Sequence, residues 1–253
     1  MSQIDPARRI DALSHGFWES ALLFAGVRSG LFAALADGPL TADEVATKAG
    51  LDARAVLLTL RGLAGLGLIA GDGDRWAIAA GYADLLVPGA PDDRTAILEH
   101  LAGMWEAWGR LPEVLREGRP VRRADLPGAD RRAGFRAFIM GMHQLSARSA
   151  EAFAALPELA DAASFLDVGG GPGTYAIAMA RRNPALRATI LDRAEALEVA
   201  RELAAAAGVA DRVRLQPGDA LADDYGSGFD AVLLSQLLHA YGPEECRGIV
   251  ARG

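Results

Sequence analysis

The sequence predicts an α/β fold: a doubly wound parallel sheet in its second half, preceded by a mostly helical module of winged-helix type. Three observations carry that prediction. Residues 164–180 read SFLDVGGGPGTYAIAMA, a short apolar run that ends abruptly in glycine and is followed by a small-residue helix. Three acids, Asp167, Asp192 and Asp219, stand near the ends of three successive predicted strands. A helix, a second helix and a hairpin follow one another between Thr41 and Ile78.

Bulk properties bound what such a chain does. Its 253 residues fit one large or two small domains, and 51% of them are apolar, ample for a buried core. A net charge of −7 argues against a nucleic-acid partner and against an anionic membrane surface. Cys246 is the only cysteine, which excludes intrachain disulfides and a cysteine-rich zinc site. Asp5, Arg8, Arg9 and Asp11 stand where a signal peptide would be apolar. The longest apolar stretch, Ala21 to Ala36, is interrupted by Arg28 and is too short to span a bilayer. The expectation is a soluble cytoplasmic protein.

Residues 10–36 read as one apolar helix whose broad face, with Phe17, Trp18, Leu22 and Leu23, exceeds what a small domain buries. Asp37-Gly38-Pro39 breaks it. Thr41 and Glu44 form a capping box for a helix that runs to Gly50, and Asp52 caps another over Ala53 to Leu66. Leu68-Ile69, a turn at residues 71–74 and Arg75 to Ile78 complete the hairpin. A winged helix raises DNA binding, but four basic residues face six acids between Asp37 and Ile78. Phosphate contacts need the opposite balance, so the module is expected to pack against protein. From Arg94 to Gly118 an apolar helical stretch carries Trp105 and Trp108. Seven arginines between Arg116 and Arg136, amid Pro120, Pro127 and Gly128, read as a solvated linker. Phe135, Phe138, Met140, Met142 and His143 then lie on a helix leading into the glycine strand. They are candidates for a core face or for a pocket wall.

The glycine stretch is Asp-x-Gly-x-Gly-x-Gly from Asp167, with Gly169, Gly171 and Gly173. A dinucleotide fingerprint would require a third glycine where Thr174 stands. With Lys48 as the only lysine, no phosphate-binding loop exists. An acid two residues before the first glycine suits a ligand with ammonium and sulfonium groups better than a pyrophosphate. Ala188 to Leu191 is a strand ending in Asp192, nineteen residues after Gly173 and suited to both hydroxyls of a ribose. Ala194 to Ala207 is a helix closed by Gly208. Val213 to Leu215 is a strand followed by Asp219, with Ala220 and Leu221 where an adenine would be gripped. Phe229 to Leu234 leads into Ser235 and His239, and Gly242-Pro243-Glu244-Glu245 opens one more helix. His239, on the same sheet edge, is a candidate general base.

On LDVGGGPG, the GDA after the third strand and LLHAYGPEEC, the chain resembles a known family over nearly its whole length. These are the S-adenosylmethionine-dependent O-methyltransferases with an N-terminal winged-helix dimerisation domain. Plant caffeate enzymes, acetylserotonin methyltransferase and bacterial polyketide tailoring enzymes are members. The resemblance implies a class I methyltransferase sheet and a homodimer, with residues 1–88 as dimerisation domain. Residues 89–253 would be the methyltransferase domain, a helical pocket segment over 89–160 and a cofactor-binding part over 161–253.

It implies S-adenosylmethionine as cofactor, S-adenosylhomocysteine as its product, no metal, and a small hydroxylated acceptor of aromatic or polyketide type. Asp167, Gly169, Gly171, Gly173, Asp192, Asp219, Ala220 and Leu221 are the expected cofactor residues, with Ser235 beside them. His239 is the expected base, and Trp105, Phe138, Met142 and His143 are the pocket candidates. Two departures stand out. Ala240 and Tyr241 replace the family's Asp and Trp after the histidine. The family continues for roughly eighty more residues, a length in keeping with typical domain size, so the expectation is a fragment of a longer protein. Three rivals remain open: tailoring chemistry without methyl transfer, an inert fragment, and a winged-helix sensor of small molecules.

Overall fold

A computed structural model describes residues 5–71, 74–121 and 131–253. The chain forms two compact units, Met1–Ala129 and Asp130–Gly253. Two sequence expectations fall partly outside the described residues: the tip of the hairpin turn at 72–73 and the arginine-rich linker over 122–130.

In the first unit the expected long helix over 10–36 is three helices, α1 (Pro6–His15), α2 (Phe17–Arg28) and α3 (Leu31–Ala34). Gly30 divides the last two by adopting φ +72°, a left-handed conformation that an L side chain disfavours. Strand β1 (Leu40–Thr41) leads into α4 (Ala42–Ala49), followed by α5 (Ala53–Gly65). The capping box at the head of α4 is present: the Glu44 amide donates to Thr41 Oγ1 at 3.2 Å and the Thr41 amide to Glu44 Oε2 at 2.7 Å. Asp52 caps α5 through the Ala55 amide at 2.8 Å.

Strands β2 (Ile69–Gly71) and β3 (Arg75–Ile78) form the hairpin, and β1 joins β3 on its other side, giving the antiparallel order β1-β3-β2 of a winged helix. Leu31, Phe32, Val45, Leu60, Leu63 and Trp76 close the core of this unit. Helix α6 (Ala83–Leu86) follows. The apolar stretch after Arg94 is two helices, α7 (Thr95–Gly109) and α8 (Leu111–Glu117). Proline at the second position of α8 lacks the amide that a continuous helix would need there.

The second unit begins with α9 (Arg131–Ala154) and continues as an alternation of strand and helix: β4 (Ser164–Val168), α10 (Thr174–Arg182), β5 (Arg187–Asp192), α11 (Ala194–Ala206), β6 (Val213–Pro217) and β7 (Ala231–Leu233). It ends in α12 (Pro243–Arg252). The four strands are parallel in the order β6-β5-β4-β7. Successive strands are added on one side of β4 as β5 and β6 and then on its other side as β7, and a crevice opens at the strand ends beside such a switch. Helix α10 is buried nearly all round, between the sheet and α9, and small side chains allow the close packing: Ala176, Ala178 and Ala180 are each at most 4% exposed. Phe165, Ile190, Leu186 and Leu197 fill the layer beneath.

Candidate active site

The crevice at the ends of β4, β5 and β7 is a cavity of about 360 Å³. Its floor is the glycine corner. Gly173, at φ +71°, has no room for a side chain, since a Cβ would overlap Ile190 Cδ1. Its amide donates to the Gly170 carbonyl at 2.8 Å and closes the turn. Gly171 is the opposite case. A Cβ there would come no closer than 3.9 Å to any other side chain, so its bare backbone faces open cavity. The Gly171 amide donates to Asp192 Oδ2 at 2.7 Å, while Asp192 Oδ1 accepts from the Arg193 amide at 2.7 Å. The end of β5 is thus tied across to the glycine turn of β4.

Asp167 is the least ordinary residue of the site. It is 1% exposed, lines the cavity, and its Oδ2 has no hydrogen-bond partner. Burial raises its carboxyl to about 7, with the Ala176 backbone opposing and the Asp192 charge adding to the rise. A buried oxygen left without a partner in the wall of a cavity calls for an explanation, and a ligand charge in that cavity supplies one.

His239 lines the same cavity from a single helical turn, Leu238–Ala240, beyond β7. That turn is held from behind by α12, where the Cys246 thiol donates to the Leu238 carbonyl at 3.2 Å. Gln236, three residues before His239, has φ +52°, the only left-handed non-glycine among the described residues. From α9, Phe138, Met142 and Ser146 enter the cavity at four-residue spacing, one face of one helix.

The expected site residues therefore divide. Asp167, Gly169, Gly171, Asp192, Ser235, His239, Phe138 and Met142 share the cavity. Gly173 stands behind it as packing. Asp219, Ala220 and Leu221 do not line it: the Asp219 carboxylate turns back to accept from the Leu221 amide at 2.8 Å. The phenol of Tyr241 is raised first by burial and then by the charges of Asp219 and Asp192, so it feels both acids.

His143 faces a separate cavity of about 410 Å³ with Arg148, Glu151 and Arg181, and its Nδ1 lies 3.0 Å from Thr174 Oγ1. Burial lowers its imidazole. Trp105 belongs to the first unit, where it packs beside Phe17 and Phe24 with ring centroids 5.9 and 6.3 Å away. Among the described residues no group of three His, Cys, Asp or Glu is placed to hold a metal ion, and no helix is long and apolar enough to cross a membrane.

Arg193, Ser146 and Gln236 are among the lining residues that the sequence did not single out. Arg193 follows Asp192 directly, and its guanidinium lies over the Phe135 ring at 5.3 Å. Ser146 extends the four-residue stripe of Phe138 and Met142 by one turn, a signal that was available. Gln236 gave none.

Comparison with known proteins agrees with this geometry. Residues 127–252 match the O-methyltransferase domain family and residues 12–84 the O-methyltransferase dimerisation domain. The chain is 34% identical over 245 residues to a 3-hydroxy-5-methyl-1-naphthoate 3-O-methyltransferase from Streptomyces sahachiroi, covering 94% of this chain and 70% of that protein. Among solved structures, an O-methyltransferase family protein from Burkholderia thailandensis superposes with a TM-score of 0.86 at 28% identity, covering 99% of this chain and 76% of that one. An S-adenosylmethionine-dependent methyltransferase in its apo form superposes at 0.67 with 31% identity, covering 96% and 75%. A winged-helix module, a parallel sheet with a glycine corner and these matches lead to one conclusion: the chain belongs to the S-adenosylmethionine-dependent O-methyltransferases that carry an N-terminal dimerisation domain.

Proposed function

We propose that the chain methylates a hydroxyl group on a small aromatic or polyketide-like molecule, with S-adenosylmethionine as donor and His239 as general base. The observation that carries this reading is the unpartnered, buried Oδ2 of Asp167 in a cavity shared with the bare Gly171 backbone and with His239. The residues fit the donor. Its ammonium and sulfonium charges suit the carboxylates of Asp167 and Asp192, its ribose hydroxyls suit Asp192, and its close approach suits glycine. When bound, S-adenosylmethionine supplies an electrophilic methyl group on a cationic sulfur.

The chain's own residues do the rest. His239 accepts the acceptor's hydroxyl proton on an imidazole nitrogen and leaves the oxygen nucleophilic. Phe138 and Met142 give the cavity an apolar wall that orients an aromatic ring and excludes water. Asp219, Ala220 and Leu221 serve the adenine end, and Ser235 borders the cofactor. Residues 1–88 form the dimer, and residues 89–253 bind acceptor and donor. The first curated relative acts on a hydroxynaphthoate, which supports a hydroxylated aromatic acceptor here.

Calorimetry with S-adenosylhomocysteine and with NAD tests the donor site: binding of the first and not of the second is expected, and the reverse ends the reading. His239→Ala tests the base. Turnover with a hydroxynaphthoate acceptor is expected to fall on the order of 10²–10⁴-fold, with affinity for S-adenosylhomocysteine nearly intact.

A further inference from the structure

The carboxyl of Asp167 is buried to 1% exposure, has an oxygen without a partner, and borders the cavity assigned above to the methyl donor. The charged and titratable groups that share this cavity are Asp192 and Arg193 at the end of β5, His239 beyond β7 and Tyr175 on α10. On α9 the cavity wall is apolar apart from Ser146, and His143 lies behind Thr174, in the neighbouring cavity. Asp192 spends both oxygens on the amides of Gly171 and Arg193. Asp167 has no such amide on Oδ2, so its charge state depends on what enters.

We propose that Asp167 releases its proton when the cationic methyl donor binds and takes a proton back when the product with its neutral sulfur occupies the site. This deepens the methyl-donor reading above and rests on it. Donor and product share adenosine, ammonium and carboxylate and differ at sulfur by one positive charge. That charge favours the ionised carboxylate, and its loss favours the neutral acid, which burial and Asp192 already promote. The proton moves between Asp167 and solvent, with no bond to the ligand made or broken. The consequence is selective: the neutral acid no longer offsets the desolvation of its own site with a partner charge, and the product is held less tightly than the donor. By linkage, the preference for donor over product grows as pH rises.

The test is calorimetry of the whole chain in buffers of different ionisation heat, which counts protons exchanged on binding. At pH 7 the donor is expected to release about half a proton, because a carboxyl that titrates near 7 is about half protonated before binding, and the product markedly less. Between pH 6 and pH 8 the ratio of donor to product affinity is expected to rise roughly five- to tenfold. Asp167→Asn should abolish the extra proton and flatten the ratio, while His239→Ala keeps both. Titration of the ligand's own ammonium is common to wild type and Asn variant, so the comparison removes it. Equal proton release by donor and product, a flat ratio in wild type, or extra release that survives in Asp167→Asn each overturns the proposal. Binding of neither ligand overturns the methyl-donor reading itself, a distinct outcome. Should the Asn variant not fold, the wild-type ratio alone decides.

Discussion

The two units solve opposite problems. The second packs an apolar core on its parallel sheet and adds a charge-bearing group, Asp167, to that interior. The first completes a core of its own and still leaves Ile10, Leu13, Phe17 and Trp18 exposed, the last two by 51% and 56%, with Trp108 at 66%. An exposed aromatic cluster of that kind marks an association surface. A buried carboxyl with one oxygen left unpartnered marks a candidate ligand site. One unit is unfinished on its outside, the other on its inside, and each lack corresponds to the family module matched there.

The largest test of this contrast lies in the second unit. Gly173→Val places a branched side chain where Cβ already overlaps Ile190, at φ +71°. A loss of about 3–5 kcal/mol is expected, read as a lowered denaturation midpoint. Retention of the wild-type midpoint would show that the corner is loosely packed.

Next is the outer face of the first unit. Phe17→Ser with Trp18→Ser should weaken self-association by roughly 2–4 kcal/mol, the range of aromatic hot spots, measured by sedimentation. Binding of S-adenosylhomocysteine to the second unit should change little. An unchanged association constant would remove these aromatics from the interface.

Asp167→Asn sharpens the contrast from inside. The native carboxyl titrates near 7, above its ordinary 3.8, so the folded state holds this proton more tightly than the unfolded chain. The stability that this contributes is full below about pH 4 and is lost as pH rises through 7. Asparagine carries no such loss. The ligand-free variant should therefore exceed wild type by a few kcal/mol at pH 8, with the gap closing toward pH 4. A pH-independent difference would deny the buried titration. The smallest effect belongs to Gly30→Ala, where φ is +72° but space is open; about 1 kcal/mol of backbone strain is expected, seen as a small drop in thermal midpoint.

The corner was legible because its physics is local. An apolar run, glycines and a run of alanines fix strand, turn and helix within seventeen residues, and Asp192 follows at a spacing set by one helix. The Thr41 capping box was legible for the same reason. What was not legible depends on choices of a few atoms. Asp167 and Asp219 look equivalent in sequence, yet Asp219 reaches the Leu221 amide two residues on, whereas Asp167 lies inside β4 with both neighbours paired in the sheet. The single apolar run over 10–36 did not reveal that Gly30 turns left-handed. Phe138 and Met142 on α9 were among the expected pocket residues, whereas nothing in the sequence set Arg193 apart as a lining residue.

Gln236 holds a backbone posture that costs about 1 kcal/mol in a residue with a side chain. Glycine would adopt that posture freely, but it would also give the hinge several others. The imidazole of the proposed base, three positions on, would then sweep a wider arc. Thermal robustness and the aim of that proposed base are therefore opposed at this one link, and a chain engineered only for heat resistance would be drawn toward the wrong choice.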